Sequence, residues 1–310
     1  MRKDIDHLPA AKQRELKRVA EILFEEFEEA TKLATSKRKK AGRILKVILF
    51  GSYARGGWVN EPHTSKGYMS DYDLLVIVNH KDLTDFAAYW YKAEDRLIRD
   101  SAIKTPVNFI VHTLAEVNDA LAKGQYFFSD ITREGIALYE LPGHKLVDPK
   151  PLTPEEACET AKGHYERWFP SAEQFFIHAR DAMERGWNNK AAFELHQAAE
   201  RLYHCLLLVM TNYSPSTHNV KFLRSMAERL DARLIEVWLR ETKHDRRCFE
   251  LLKRAYVEAR YSEHYRITAE ELEWLGKRVE RLQKLVETVC HERLKQLGEA
   301  ALKENQRLQT

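Results

Sequence analysis

The pattern of apolar residues changes near residue 142, and this change constrains the fold more than any other feature of the chain. Before it, short apolar runs of strand length alternate with amphipathic segments, and after it every apolar pattern has helical spacing. The stretch between the two parts contains Pro142, Pro149, Pro151 and Pro154. Because proline lacks a backbone N–H and restricts the preceding residue, neither a helix nor a central strand continues through it. The sequence therefore predicts a first domain at 1–141, a linker at 142–153 and a second domain at 154–310.

The first domain is predicted to combine strands with helices. Its predicted strands are 44–50, 70–78, 107–112 and a short edge strand at 135–140. Its predicted helices are about 8–36, 84–100, 114–122 and 127–134. The second domain is predicted to be an all-helical bundle, with helices at about 154–168, 171–185, 188–211, 217–238, 241–261 and 268–305.

Charge and composition narrow the class of protein. At 310 residues with a net charge of +3, the chain is long enough for two domains but not basic enough for general binding to polyanions. The cluster Lys37-Arg38-Lys39-Lys40 is either a solvated loop or a patch that steers phosphates. The four cysteines are scattered singly, which favours reduced thiols. Since there is no apolar signal region and no run of membrane-spanning length, we expect a cytoplasmic protein without a membrane partner.

Two polar motifs lie at strand ends in the first domain. Gly51-Ser52 follows the first predicted strand, and Asp71-Tyr72-Asp73 begins the second. Because side chains alternate along a strand, Asp71 and Asp73 point to the same side and repel each other unless a cation lies between them. Magnesium prefers such oxygen ligands, and a Gly-Ser turn presents backbone N–H groups and a hydroxyl to phosphates. Each motif alone is also typical of an ordinary turn or a solvated strand start, but together they favour a site for magnesium and a phosphorylated ligand.

The segments Gly51-Ser52-Tyr53-Ala54-Arg55-Gly56 and Ser70-Asp71-Tyr72-Asp73-Leu74 resemble the signature of the DNA polymerase β-like nucleotidyltransferase superfamily, in particular the minimal nucleotidyltransferases. The resemblance covers about the first 140 residues and implies a mixed sheet with helices. It also implies that Gly51 and Ser52 bind the triphosphate of an NTP, for which ATP is expected. Asp71 and Asp73 would be the catalytic residues and would bind two Mg²⁺ ions. Arg55 would be a second phosphate contact or, equally, part of a surface ion pair.

The chain departs from this family at one position. The family usually has a third carboxylate on a neighbouring strand, and the corresponding stretch here is Val107-Asn108-Phe109-Ile110. Asn108 can ligate a metal through its carbonyl oxygen, but it carries no charge and cannot act as a base. Three outcomes are open: activity is reduced, another group such as His112 or a substrate group supplies the missing function, or the domain only binds nucleotide.

The second domain resembles HEPN domains, which are small helical bundles often paired with minimal nucleotidyltransferases. The resemblance covers roughly 155–300 and rests on AAFELHQAAERLYH at 191–204 and YSPSTHN at 213–219. The alternative for the first segment is an ordinary helix of a bundle whose polar residues lie in solvent.

Many HEPN domains are ribonucleases that use an arginine followed, after four to six residues, by a histidine. The nearest pair here is Arg260 and His264, whose spacing is one residue short of that pattern. At positions i and i+4 the two would share a helix face, with Arg260 stabilising a phosphorane-like charge and His264 transferring protons. The alternative is a helix end that is simply rich in polar residues.

Together the resemblances imply an α+β protein in which a nucleotidyltransferase domain precedes an all-α HEPN-like bundle. The implied reaction is metal-dependent transfer of an NMP from an NTP to a hydroxyl of a small molecule, a protein tyrosine or an RNA, with the bundle helping to bind the acceptor. The alternative is a HEPN ribonuclease or RNA-binding module, similar to a toxin–antitoxin system, regulated by a nucleotide-binding but catalytically weak first domain. Since HEPN bundles commonly pair through their helices, we expect a homodimer.

Overall fold

The computed structural model describes residues 1–32, 41–59 and 70–308, so the basic cluster at 37–40 lies outside the described residues. The chain divides into two compact units, Met1–Pro151 and Leu152–Thr310. The boundary between these units falls inside the predicted linker.

Part of the predicted linker packs on the first unit. The backbone N–H of Val147 donates a hydrogen bond to Asn118 Oδ1 (3.0 Å), and that of Lys150 donates to the Leu121 carbonyl (3.0 Å). The prolines therefore end the regular secondary structure, while the chain that carries them stays bound to the helix Leu114–Ala122.

The first unit contains all four predicted strands. Its elements are α1 (Ala10–Lys32), β1 (Ile44–Phe50), α2 (Ser52–Arg55), β2 (Tyr72–Val78), α3 (Phe86–Tyr89), α4 (Tyr91–Arg99), β3 (Val107–Thr113), α5 (Leu114–Ala122), α6 (Tyr126–Glu134) and β4 (Ile136–Glu140).

The strands form one mixed sheet in the order β3-β2-β1-β4, which confirms the edge position predicted for β4. β1 pairs antiparallel with β2 and β4, and β2 pairs parallel with β3. Every residue of β1 and β2 is buried, because helices cover both faces of the sheet. On one face Leu16 and Leu23 of α1 share a core with Val47. On the other, Phe127 of α6 meets Phe50 edge-on, with 5.4 Å between ring centroids.

The helix predicted over 84–100 is interrupted. A 3₁₀ turn at Lys81–Thr84 is followed by α3 and α4, which are separated at Trp90. The Trp90 indole is fully buried, and its Nε1 donates a hydrogen bond to the Leu83 carbonyl (2.7 Å). Burial of this large side chain breaks the helix at a position where local spacing alone predicted continuity.

The second unit is all-helical, as predicted. Its elements are α7 (Pro154–Glu184), α8 (Asn188–Thr211), α9 (Val220–Leu230), a 3₁₀ segment (Ala232–Val237), α10 (Lys243–Tyr261) and α11 (Ala269–Leu308). Of the helices in the described ranges, none is both long enough and apolar enough to cross a membrane.

Two predicted boundaries in this unit are wrong. α7 continues through Pro170, where a break between 168 and 171 was predicted. Proline removes one backbone hydrogen bond there, but the buried Phe169 and Ala172 keep the helix packed on both sides of it. The stretch 217–238 is not one helix, because α9 ends before Asp231, whose side chain accepts the Arg233 N–H and caps the following 3₁₀ segment.

Candidate functional site

The two aspartates lie at the start of β2 and share one face of the sheet. Asp71 immediately precedes the strand and Asp73 is its second residue. Tyr72 between them points to the opposite face, where it is fully buried in the core under α1. Asp73 is only 1% exposed. The alternation of side chains therefore places both carboxylates where the sequence predicted them.

Strand register places Asn108 next to this pair. Asp73 is opposite Phe50 on β1 and opposite Asn108 on β3. The amide of Asn108 donates a hydrogen bond from Nδ2 to Asp71 Oδ2 (2.8 Å). Asn108 thus occupies the position where a third carboxylate was expected, and it contacts one of the two aspartates directly.

Gly51 provides the close approach that the Gly-Ser turn was predicted to make. Its φ is +77°, in the left-handed region that favours glycine. A Cβ at this position would lie 2.7 Å from Asp73 Oδ2. Ser52, which is half-buried, begins the short helix α2 directly after it. The end of β1 therefore lies against the carboxylate of Asp73.

The turn is held by residues from the N-terminal segment, which sequence analysis did not identify. Arg2 Nη2 donates a hydrogen bond to the Ala54 carbonyl (2.8 Å), and His7 Nε2 donates to the Tyr53 carbonyl (2.8 Å). The Arg2 carbonyl in turn accepts the Ala137 N–H at the edge strand (2.8 Å). No local pattern signals these contacts, since they join residues far apart in the sequence.

Arg55 lies in an ion pair. Its Nη1 is 3.3 Å from Glu134 Oε2, and its side chain is half exposed. Hydrogen bonds from Arg133 and from Arg55 hold the pKa of Glu134 below its usual range. The structure thus contains the ion pair that was one of the two alternatives, and phosphate binding by Arg55 stays a prediction.

His112 does not join the aspartates. It lies four residues beyond Asn108 on β3, which corresponds to about 13 Å along the strand. Its Nδ1 is 3.7 Å from Glu116 Oε2, and its ring meets Phe128 edge-on. A hydrogen bond from His112 is the main cause of a lowered pKa at Glu116. The hypothesis that His112 replaces the third carboxylate is therefore wrong, because β3 carries it to the far end of the sheet.

The residues at this site fit a magnesium ion that is shared with a phosphorylated ligand. Within residues 1–32, 41–59 and 70–308, no three or more carboxylate, imidazole and thiol groups are arranged to hold a metal by themselves. Mg²⁺ typically binds one or two protein carboxylates, several waters and substrate phosphates. Two carboxylates with an amide oxygen beside them match that donor set, and Gly51 leaves the space open.

A separate groove of about 760 Å³ opens elsewhere on the first unit. It is lined by Lys46 and Glu140 of the sheet together with residues of α6 and of the stretch 145–151. Neither aspartate lines it, and Lys46 is four residues from Phe50, the neighbour of Asp73, or about 13 Å along β1. The groove is therefore not the predicted site.

In the second unit, the structure does not place Arg260 and His264 on one helix. α10 ends at Tyr261, so His264 lies in the exposed turn that follows, where its N–H donates to Ser262 Oγ (3.2 Å). The prediction of a shared helix face is wrong, because the backbone of Ser262 is extended (φ −99°, ψ 124°) and ends the helix before His264. A ribonuclease role for this pair stays a prediction.

Comparison with known proteins identifies the second unit. Residues 165–289 match the HEPN domain family. The second unit contains a HEPN domain. The order of the parts, an α+β unit followed by a HEPN bundle, agrees with the prediction, and the expected homodimer stays a prediction.

The other comparisons add little. No curated protein matches this sequence. The crystal structure of a nucleotidyltransferase-like protein from Exiguobacterium sibiricum 255-15 is similar at 14% identity over 86% of this chain and 78% of that chain, with a TM-score of 0.27. A likeness at this TM-score carries no argument about the chemistry of either unit.

Proposed function

We propose that the first unit is a nucleotidyltransferase that moves an NMP from an NTP, with ATP the expected donor, to a hydroxyl acceptor and releases pyrophosphate. The observation that carries this proposal is the convergence of Gly51, Asp71, Asp73 and Asn108 at one end of one sheet face. A buried carboxylate in contact with a glycine turn is an arrangement suited to a phosphorylated ligand and its cation.

Each residue has a distinct task in this reaction. Asp71 and Asp73 would hold Mg²⁺, which when bound neutralises charge that develops on the phosphate oxygens. Gly51 allows the phosphates of the NTP to come close to Asp73. The Ser52 hydroxyl would donate a hydrogen bond to an oxygen of these phosphates. Asn108 orients Asp71 through the hydrogen bond from Nδ2.

The neutral Asn108 has a consequence for proton transfer. An amide does not accept a proton at neutral pH, so the proton of the acceptor hydroxyl goes to one of the two aspartates or to solvent. Since that arrangement lacks one negative charge, we expect slower turnover than a site with three carboxylates supports. The HEPN domain is assigned to acceptor binding in this proposal.

Pyrophosphate release in the presence of MgCl₂, measured with each NTP and candidate acceptors, tests the proposal. Asp73→Asn removes one charge from the site and should lower turnover roughly 100-fold or more, the loss typical of removing a group that stabilises transition-state charge. The matched control is Asp119→Asn, because Asp119 is exposed and pairs with Lys123 on the surface of α5. Equal turnover in Asp73→Asn, Asp71→Asn and the unaltered protein would refute the assignment.

The neutral residue at position 108 favours one second candidate, in which the first unit binds nucleotide without transferring it and thereby regulates an RNA-binding or RNA-cleaving HEPN domain. The same assay separates the two. NTP binding that depends on Asp73, without pyrophosphate release for any NTP, would support this second candidate.

A further inference from the structure

An ion pair of α1 lies under the candidate site, on the face of the sheet opposite the aspartates. Lys12 Nζ is 3.5 Å from Glu15 Oε1, and the two side chains are only 16% and 9% exposed. Both contact the face to which Tyr72 points. An ion pair this deeply buried adds little stability compared with apolar residues of the same size, because both charges lose their hydration. Stability alone therefore does not account for it.

The ion pair binds the segment that leads into β3. The Thr105 N–H donates a hydrogen bond to Glu15 Oε2 (3.2 Å), and Lys12 Nζ donates to Thr105 Oγ1 (2.5 Å). Thr105 is fully buried, so its N–H requires an acceptor within the protein. The two charged side chains thus hold both the backbone and the hydroxyl of Thr105, three residues before Asn108.

This hold acts where the pairing of β2 with β3 ends. The pairing begins at Tyr72 and Val107, and the Tyr72 N–H donates to the Pro106 carbonyl (2.8 Å). Because proline has no N–H, the ladder cannot continue past Pro106 towards Thr105. The ends of paired strands are where local opening is easiest. The ion pair therefore fixes the end of the sheet at the point where backbone hydrogen bonds stop, next to Asn108.

The same ion pair contacts the two tyrosines under the site. The Tyr72 hydroxyl lies 3.4 Å from Glu15 Oε2, and burial raises the pKa of Tyr72, so the hydroxyl stays protonated and faces the carboxylate as a donor. Lys12 Nζ lies 5.9 Å from the Tyr72 ring centre and 6.0 Å from that of Tyr53, within the range of a cation–π interaction. Tyr53 follows Ser52 on α2, and its ring centre is 4.5 Å from that of Tyr72. One ion pair thus contacts the glycine turn, the start of β2 and the segment before β3.

We propose that Lys12 and Glu15 are positioning residues of the nucleotidyltransferase site. This inference rests on the function proposed above. From the opposite face of the sheet the pair sets the distance of Asn108 from Asp71 and of the glycine turn from Asp73. It acts through the strands and does not touch the ligand. Groups that orient the ligands of a metal are typically worth roughly 10- to 100-fold in metal affinity or activity.

Glu15→Gln in the full chain tests this role, because it keeps the shape of the side chain and removes its charge. Pyrophosphate release should fall roughly 10- to 100-fold, and half-maximal turnover should require more MgCl₂. The matched control is Glu26→Gln. Glu26 lies on the same helix with a side chain 12% exposed, and it pairs with Arg96 of α4 (2.7 Å), a helix that carries none of the site residues. The control should keep both the turnover and its dependence on MgCl₂.

Substitution of Thr105 tests the contact without removing a charge, and it carries the test if Glu15→Gln does not fold. Thr105→Val removes the hydroxyl that accepts the hydrogen bond from Lys12 and keeps a β-branched side chain. Thr105→Ser keeps the hydroxyl and removes the buried methyl group. We expect the valine variant to lose turnover and the serine variant to retain most of it. Loss of packing alone predicts the reverse order, because serine leaves a cavity.

The side-chain amide of Asn108 provides a readout that does not depend on turnover. Its resonances in the ¹⁵N NMR spectrum, assigned through Asn108→Asp, should shift in Glu15→Gln and Thr105→Val but stay in place in Glu26→Gln and Thr105→Ser. A purely structural role for the ion pair would lower stability in urea without moving these resonances in the folded protein.

The two readouts separate this proposal from the proposed function. If the unaltered protein releases no pyrophosphate with any NTP and acceptor, the proposed function fails, whatever the Asn108 resonances show. If the unaltered protein is active, unchanged turnover or unchanged Asn108 resonances in folded Glu15→Gln and Thr105→Val would overturn the positioning role. An equal loss of turnover in Glu26→Gln would also overturn it, since a general loss of stability would then explain the effect.

Discussion

Asn108→Asp introduces a third carboxylate directly against Asp71. The hydrogen bond from Asn108 Nδ2 to Asp71 Oδ2 is 2.8 Å long, so the substitution replaces a donor with a second negatively charged oxygen at that distance. Coulomb's law gives a repulsion of about 1.5 kcal/mol at the dielectric constant of water and about 6 kcal/mol at an effective value of ~20. Both side chains are partly exposed, so solvent screens part of this repulsion. We therefore expect the variant to lose about 2 kcal/mol of unfolding free energy without metal.

Magnesium should reverse this loss, because a cation between the carboxylates turns repulsion into attraction. Urea unfolding of the variant and the unaltered protein, with and without saturating MgCl₂, measures both effects. The control Asn118→Asp adds one negative charge to the same unit, and its Oδ1 would still accept the Val147 N–H. We expect the control to change little under either condition.

Two results would refute this reasoning. If Asn108→Asp has the same stability as the unaltered protein without metal, position 108 does not face Asp71 in solution. If MgCl₂ does not stabilise the variant more than the control, the site does not bind magnesium. Turnover should rise in the variant with MgCl₂, and a fall in turnover with normal folding would show that the reaction requires a neutral group there.

Two further predictions concern stability and the glycine turn. Burial lowers the pKa of His196 and of His204 to about 4, so the unfolded chain takes up protons below about pH 6.5 that the folded chain does not accept until about pH 4. The free energy of unfolding should be unaffected by these histidines above about pH 6.5 and should fall by about 3 kcal/mol per histidine as the pH approaches 4. Urea unfolding at a series of pH values measures this loss. If His196→Gln loses as much stability on acidification as the unaltered protein, the prediction is wrong. Gly51→Ala places a methyl group 2.7 Å from Asp73 Oδ2 at a positive φ and should cost at least about 1 kcal/mol and most of the pyrophosphate release. Gly57→Ala is the matched control, since a Cβ there meets nothing within 4 Å, and equal activity of the two variants would argue against a close approach at Gly51.

Much of the secondary structure follows from local pattern. The apolar run at 44–50 forms β1 with those same bounds, and the run after Pro106 forms β3. The shared face of Asp71 and Asp73 also follows from the sequence, because side chains alternate along any strand. The helical second unit also follows from the sequence, because its apolar residues keep helical spacing and form no run of strand length. The match of residues 165–289 to the HEPN domain agrees with this prediction of a helical bundle.

The predictions that were wrong failed because packing in the core or strand register, rather than local spacing, determined the structure. Trp90 interrupts a helix because its indole is buried, and α7 passes through Pro170 because its neighbours are packed on both sides. The sequence offered His112 as a candidate for the catalytic site, but the register of β3 pairs it with Ile77, far along the strand from Asp71.

The contacts that define the candidate site belong to the tertiary structure alone. The hydrogen bond between Asn108 and Asp71 depends on the register of two strands. The sequence by itself determined which segments become strands or helices and which residue types carry chemistry, since those properties depend on neighbours within a few positions. Which of these side chains meet was decided only by packing, because one register or one loop path is selected by the sum of many weak contacts between distant residues.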